Sequence, residues 1–174
     1  MQKIAVLFLS VFVSVSFAQN AVKRDKKFAQ KAAEWNLVEI KLIKLVIINS
    51  ATPEVIKAGT HAAIDHVKAK DELDSMARAK NIVLPIFLND ENQERFNRMN
   101  AMSGIKFDHF CVAYMLDVHK QSVKLFKRAA RVSKDEELKA WALAKVSVYE
   151  NHLKEWAEAY RAIKIAIKTN QVLN

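Results

Sequence analysis

Two glycines, two prolines and a single cysteine are all that a chain of 174 residues contains. Each scarcity excludes something. A many-stranded sheet reverses direction at glycine- and proline-rich turns, and this chain has little material for them. The lone Cys111 has no intramolecular disulfide partner, so stability must come from packing. Glycine-rich phosphate loops are missing. No cysteine–histidine protease arrangement exists either, because Cys111 and His119 share one helix face instead of meeting across a cleft. The formal charge is +9, yet no basic tract is interleaved with aromatics, which argues against nucleic acid as a partner. The lysines are scattered along solvent faces of helices, a distribution that favours at most weak association with anionic envelope surfaces.

What is plentiful is alanine, lysine, leucine and glutamate, the residues helices prefer. The composition is that of an all-α protein. The first residues, "MQKIAVLFLSVFVSVSFAQN", carry a charge at Lys3, an apolar run from Ile4 to Val15 and the small-x-small end Ser16-Phe17-Ala18. That is the pattern of a secretory signal peptide over residues 1–18, with the mature chain starting near Gln19. The run is short for a bilayer span, and no cysteine follows the cleavage point to take a lipid. The expectation is an exported, soluble protein, periplasmic or extracellular, without an integral membrane span after processing. A short segment, residues 19–25, precedes one helical domain at 26–168 and a tail at 169–174.

Apolar spacing predicts a first helix from about Lys26 to Ile48 and a second that starts at Pro53 behind Thr52 and ends near Lys80. Residues 81–104 form an irregular connection with a short helix near Asp90, where Gln93 completes a capping-box pattern. A third long helix runs to about Val132. Ser133 with Glu136 makes a second capping-box pattern ahead of the last helix, about Lys134 to Lys168. Four long amphipathic helices with two tight hairpins and a long crossover between the second and third describe a ferritin-like four-helix bundle.

Polar residues interrupt the apolar stripes. His66 falls on the stripe Ile56, Gly59, Ala63, His66, Leu73, and Glu39 on Ala32, Trp35, Glu39, Ile43, Val46. A carboxylate so placed must be paired, hydrogen-bonded or protonated. Asp108, Cys111, Met115, His119 and Phe126 share a face of the third helix, and His152 lies between Val148 or Tyr149 and Trp156 on the fourth. Counted from the hairpin near Ala51, Glu39 and His66 differ in level by only about 5 Å at 1.5 Å per residue. Counted from Ser133, His152 sits about 8 Å beyond His119 and about 9 Å short of Asp108. Glu39, His66, His119 and His152 therefore group first, with Asp108 a weaker addition.

The blocks "FAQKAAEWNLVEIKL", "AAIDHVKAKDELDSMARAKNIVLP", "KFDHFCVAYMLDVHKQSVKLF" and "LKAWALAKVSVYENHL" resemble the bacterial exported family known as domain of unknown function 4142, over about Phe28 to Trp156. The resemblance implies a ferritin-like bundle with recurrent residues at Glu39, Asp65 and His66, Phe107 and Asp108, His119, and His152. It implies no established activity. Two positions depart from the family's pattern: Cys111 stands where a tyrosine is common, and Ser147 where a proline is common. The first puts a thiol in line with Met115 and His119, a set compatible with a soft metal such as copper, although cysteine and methionine on such a stripe are ordinary core residues. A di-iron site of this fold uses Glu-x-x-His on two helices, but Ala63 and Tyr149 precede His66 and His152 by three. Three readings follow: a buried hydrogen-bonded network fixing helix register, a binding site for one divalent transition metal or small ligand, and a metal-dependent enzyme of ferritin-like type. The first two, a structural or ligand-binding protein with no catalytic residues, are preferred.

Overall fold

The computed structural model describes the backbone from residue 3 to 173 and the side chains of residues 19–169. The expected signal segment, 1–18, and most of the expected tail lie outside the residues whose side chains are described. The described residues form five helices: α1 (Lys3–Asn49), α2 (Pro53–Ala79), α3 (Asp90–Asn100), α4 (Gly104–Val132) and α5 (Glu136–Leu173). No strand occurs among the described residues. Within that same set, no helix is long and apolar enough to cross a membrane.

The helix starts follow local chemistry, but α1 begins at Lys3 where Lys26 was expected, so that 19–25 is helical, and three caps differ from the sequence reading. Pro53 opens α2 behind an extended Thr52, but the Thr52 hydroxyl makes no cap bond and instead donates to Asp108 Oδ2 at 2.6 Å. Asn89, not Asp90, caps α3 by accepting from the Asn92 backbone N–H at 2.8 Å. Asp135 caps α5 by accepting from Leu138 N at 2.9 Å, and Ser133 Oγ is spent on the Asp135 carbonyl at 3.1 Å, so no Ser133–Glu136 box forms. Gly104 begins α4 at φ +63°, a left-handed conformation that glycine adopts at no steric cost.

The long helices contact one another in a closed square: α1 with α2, α2 with α5, α5 with α4, and α4 with α1. Two sets of contacts orient them. At one end the α1–α2 turn meets the start of α4, where Ala51 N donates to Asp108 Oδ2 at 3.2 Å. At the other end Asp25 of α1 accepts from Lys134 N at 3.1 Å, and Lys80 beyond α2 pairs with Asp135 at 2.8 Å. Every contacting pair in the square is thus antiparallel, and the 80–103 connection returns the full length of the molecule with α3 laid against α1 and α4.

Two apolar clusters fill the interior. One joins Leu42, Val46, Val55, Ala62, Phe107, Met115, Trp156 and Ile163; the other joins Phe28, Ala32, Leu73, Met76, Phe126, Leu138 and Tyr149. Near the junction of the two clusters each long helix carries a buried polar residue, and Glu39, His66, His119 and His152 form a layer across the middle. The α2 stripe is rotated slightly from the expected one. Val55, Ala58 and Ala62 face inward and Ile56 is 37% exposed, because small residues let α2 approach α1 closely on that side. A Cβ on Gly59 would lie 2.9 Å from Val46 Cγ1.

Candidate metal centre

Each long helix delivers one side chain to the middle layer, and all four are sealed from solvent: Glu39 is 1% exposed, His66 0%, His119 0% and His152 1%. One nitrogen from each of the three histidines lies within 4.8 Å of the others. Glu39 Oε2 reaches in beside them, against His66 Nε2 and 3.2 Å from His119 Nε2.

The outward atoms of the three imidazoles decide their tautomers. Asn36 Nδ2 donates to the His66 carbonyl at 2.9 Å, which turns Asn36 Oδ1 toward His66 Nδ1 at 2.7 Å. An amide oxygen only accepts, so Nδ1 carries the proton and Nε2 presents a lone pair inward. His119 Nδ1 faces the Met115 carbonyl at 2.9 Å and must also donate. His152 binds through the opposite nitrogen: Nε2 donates to Asp65 Oδ2 at 3.0 Å, leaving Nδ1 free. Glu39 Oε2, His66 Nε2, His119 Nε2 and His152 Nδ1 are all buried and have no hydrogen-bond partner among the described residues. Each imidazole therefore keeps one ring nitrogen unprotonated and buried, beside the buried Glu39 carboxyl group.

Burial sets their protonation. It pushes the imidazole of His66 down to about 3 and that of His119 down to about 4, and it lowers His152 as well, despite the opposing pull of nearby carboxylates. Burial also raises the Glu39 carboxyl, a shift that His119 and His152 counter. Near neutral pH the histidines are uncharged, the form in which imidazole binds metal. Tyr149 closes one side, its ring stacked on His66 with centroids 5.5 Å apart.

Of the residues singled out from the sequence, the structure brings Glu39, His66, His119 and His152 together and leaves Asp108 out. Asp108 stands 11 residues before His119 on α4, about 16 Å along the helix, and its Oδ2 is occupied by Thr52 and Ala51 at the α1–α2 turn. Cys111 is also apart. It lies in the apolar cluster two turns from His119, its thiol pushed up to about 12 by burial, so the inward donors are nitrogen and oxygen and the soft sulfur set does not form. Asn36 carried no role in the sequence reading, and Asp65 entered it only as a recurrent neighbour of His66. Asn36 was detectable as a polar residue three before Glu39 and so on its face; Asp65 flanks His66 in the sequence and points to α5 instead.

The fold and this layer define an all-helical protein whose interior is crossed by a three-histidine, one-glutamate cluster. The chain belongs to the family described as "Domain of unknown function (DUF4142)", whose model matches residues 13–159. No curated protein and no solved structure matches the chain.

Proposed function

We propose that this protein is an exported, ferritin-like four-helix bundle that binds one divalent transition-metal ion through Glu39, His66, His119 and His152. The supporting observation is the set of three buried histidine nitrogens within 4.8 Å of one another, with the buried Glu39 carboxyl group against two of the three rings. Lone pairs facing one another are repulsive; a cation at their centre converts the same geometry into attraction. The three histidine nitrogens, at most 4.8 Å apart, need to move by less than about 1 Å each to bind an ion at 2.0–2.2 Å. Each histidine already donates its other N–H to an oxygen of Asn36, Met115 or Asp65, the arrangement that orients metal-bound imidazoles and raises their basicity.

The antiparallel square with one full-length crossover supports the ferritin-like topology. Three nitrogens and one oxygen suit a zinc-type tetrahedral site in which protein groups occupy every position. Such a site binds and braces, whereas a catalytic centre keeps a position open. Ala63 and Tyr149 stand where a dinuclear site would place further glutamates, so binding is favoured over ferritin-like oxidase chemistry. Export rests on the signal-like residues 1–18.

Metal analysis and intact mass of the protein recovered from the envelope test both parts. The expected result is about one equivalent of metal per chain and a mature start near Gln19. Protein with no bound metal and no response of its unfolding temperature to zinc, cobalt, manganese or iron(II) would leave a register-fixing network as the better account.

A further inference from the structure

Four sealed donors require a route for the ion, and the side behind His152 offers a polar one. The partner of His66, Asn36, is itself buried, and the partner of His119 is the buried Met115 carbonyl. The partner of His152 is different: the Asp65 side chain is 38% exposed. Beside it on α2, one turn earlier, His61 is 59% exposed, and its Nδ1 lies 2.7 Å from Glu155 Oε1 on α5. The His61 and His152 rings are 6.2 Å apart, and the second oxygen of Glu155 is buried without a hydrogen-bond partner. Two carboxylates and an exposed imidazole thus lead from solvent to the back of one inward donor. Farther along the same α2–α5 seam the gap closes, where Glu72 takes Trp141 at 2.8 Å and Lys145 at 2.6 Å.

We propose that His61, Asp65 and Glu155 form the port through which a divalent cation enters and leaves the buried centre, an inference that rests on the metal reading above. Carboxylate oxygens and an imidazole can replace waters of a hydrated dication a few at a time, and their negative charge concentrates cations at the seam. Asp65 then joins the port to the centre, because the oxygen that holds His152 is also the innermost carboxylate a passing ion meets. His61 and Glu155 act on the path alone, so they govern rates and leave the affinity to the four inward donors.

Stopped-flow uptake of cobalt(II) by the metal-free mature chain, followed by its ligand-field absorption, and release to a chelator test this. The doubly substituted His61→Ala, Glu155→Gln protein should load and release about tenfold more slowly, with the dissociation constant unchanged. Glu155→Gln alone, nearly isosteric, should show part of the slowing. Glu150→Gln, on the α4–α5 seam where Glu150 pairs with Lys127 at 2.7 Å, should keep the wild-type rates. Wild-type rates in the double variant, or equal slowing by Glu150→Gln, would overturn the port while leaving the centre intact. A wild-type chain that takes up no cobalt would overturn the metal reading and the port with it.

Discussion

Replacing Glu39 by glutamine keeps the size of the side chain and removes its charge, and the two states of the protein should respond with opposite signs. Without metal, Glu39 is a carboxyl group sealed in the middle layer, raised by burial, with its inward oxygen lacking a hydrogen-bond partner. Burial already disfavours the ionised carboxylate, so removing it is neutral to stabilising, and the metal-free variant should gain up to about 1 kcal/mol. For a chain of this size that is an unfolding temperature higher by about 2–4 °C. With metal the balance reverses. Zinc at a thousand times its dissociation constant stabilises the wild type by about 4 kcal/mol, or about 8–16 °C. Loss of the only anionic donor should weaken binding at least 100-fold, and at the same zinc concentration the gain then falls to about 1.4 kcal/mol. Scanning calorimetry at pH 7.5, with and without zinc, reads both effects. A variant that keeps the full zinc shift would refute the role given to Glu39. A metal-free variant destabilised by several kcal/mol would show that the carboxyl group is a structural hydrogen-bonding element.

Asn36→Ala removes both bonds that hold His66 and should cost about 2 kcal/mol of stability and 10–100-fold in zinc affinity, measured by denaturant unfolding and by competition with a chelator; unchanged affinity would mean that the His66 ring is held by packing alone. Stability of the metal-free protein should fall as pH drops through the window from about 6.5 to about 4. The unfolded chain takes up protons there while His66, at about 3, and His119, at about 4, do not, so each contributes a loss of up to about 1.4 kcal/mol per pH unit. His152 acts in the same sense, and the raised Glu39 in the opposite sense. Urea melts at pH 7.5 and 5 that coincide would contradict the neutral, buried imidazoles. Gly59→Ala recovers about 1 kcal/mol of helix propensity, but its methyl would meet the stiff, fully buried Val46 at 2.9 Å. The net expectation is destabilisation by about 1–2 kcal/mol, and a higher melting temperature would show that α2 shifts freely.

The number of helices and the donor assigned to each were legible in the sequence because helical periodicity is local. A residue's angular place on a helix depends only on its neighbours three and four away, so Glu39, His66, His119 and His152 could be put on inward stripes before any packing was known. Hairpin turns also fix levels within a pair, which is why Glu39 and His66 could be matched across "NSATP". The sequence did not relate one hairpin to the other. Their axial offset depends on how two apolar clusters pack above and below the polar layer, and that packing sets Asp108 at the α1–α2 turn and puts the His119 and His152 rings beside His66. Caps behaved similarly: Thr52 matches a cap pattern, but its hydroxyl was claimed by a side chain 56 positions away. The tautomers were the least accessible. Which nitrogen of each histidine points inward is decided by Asn36, the Met115 carbonyl and Asp65, two of them on other helices, and only tertiary structure puts an acceptor from one helix against a donor from another.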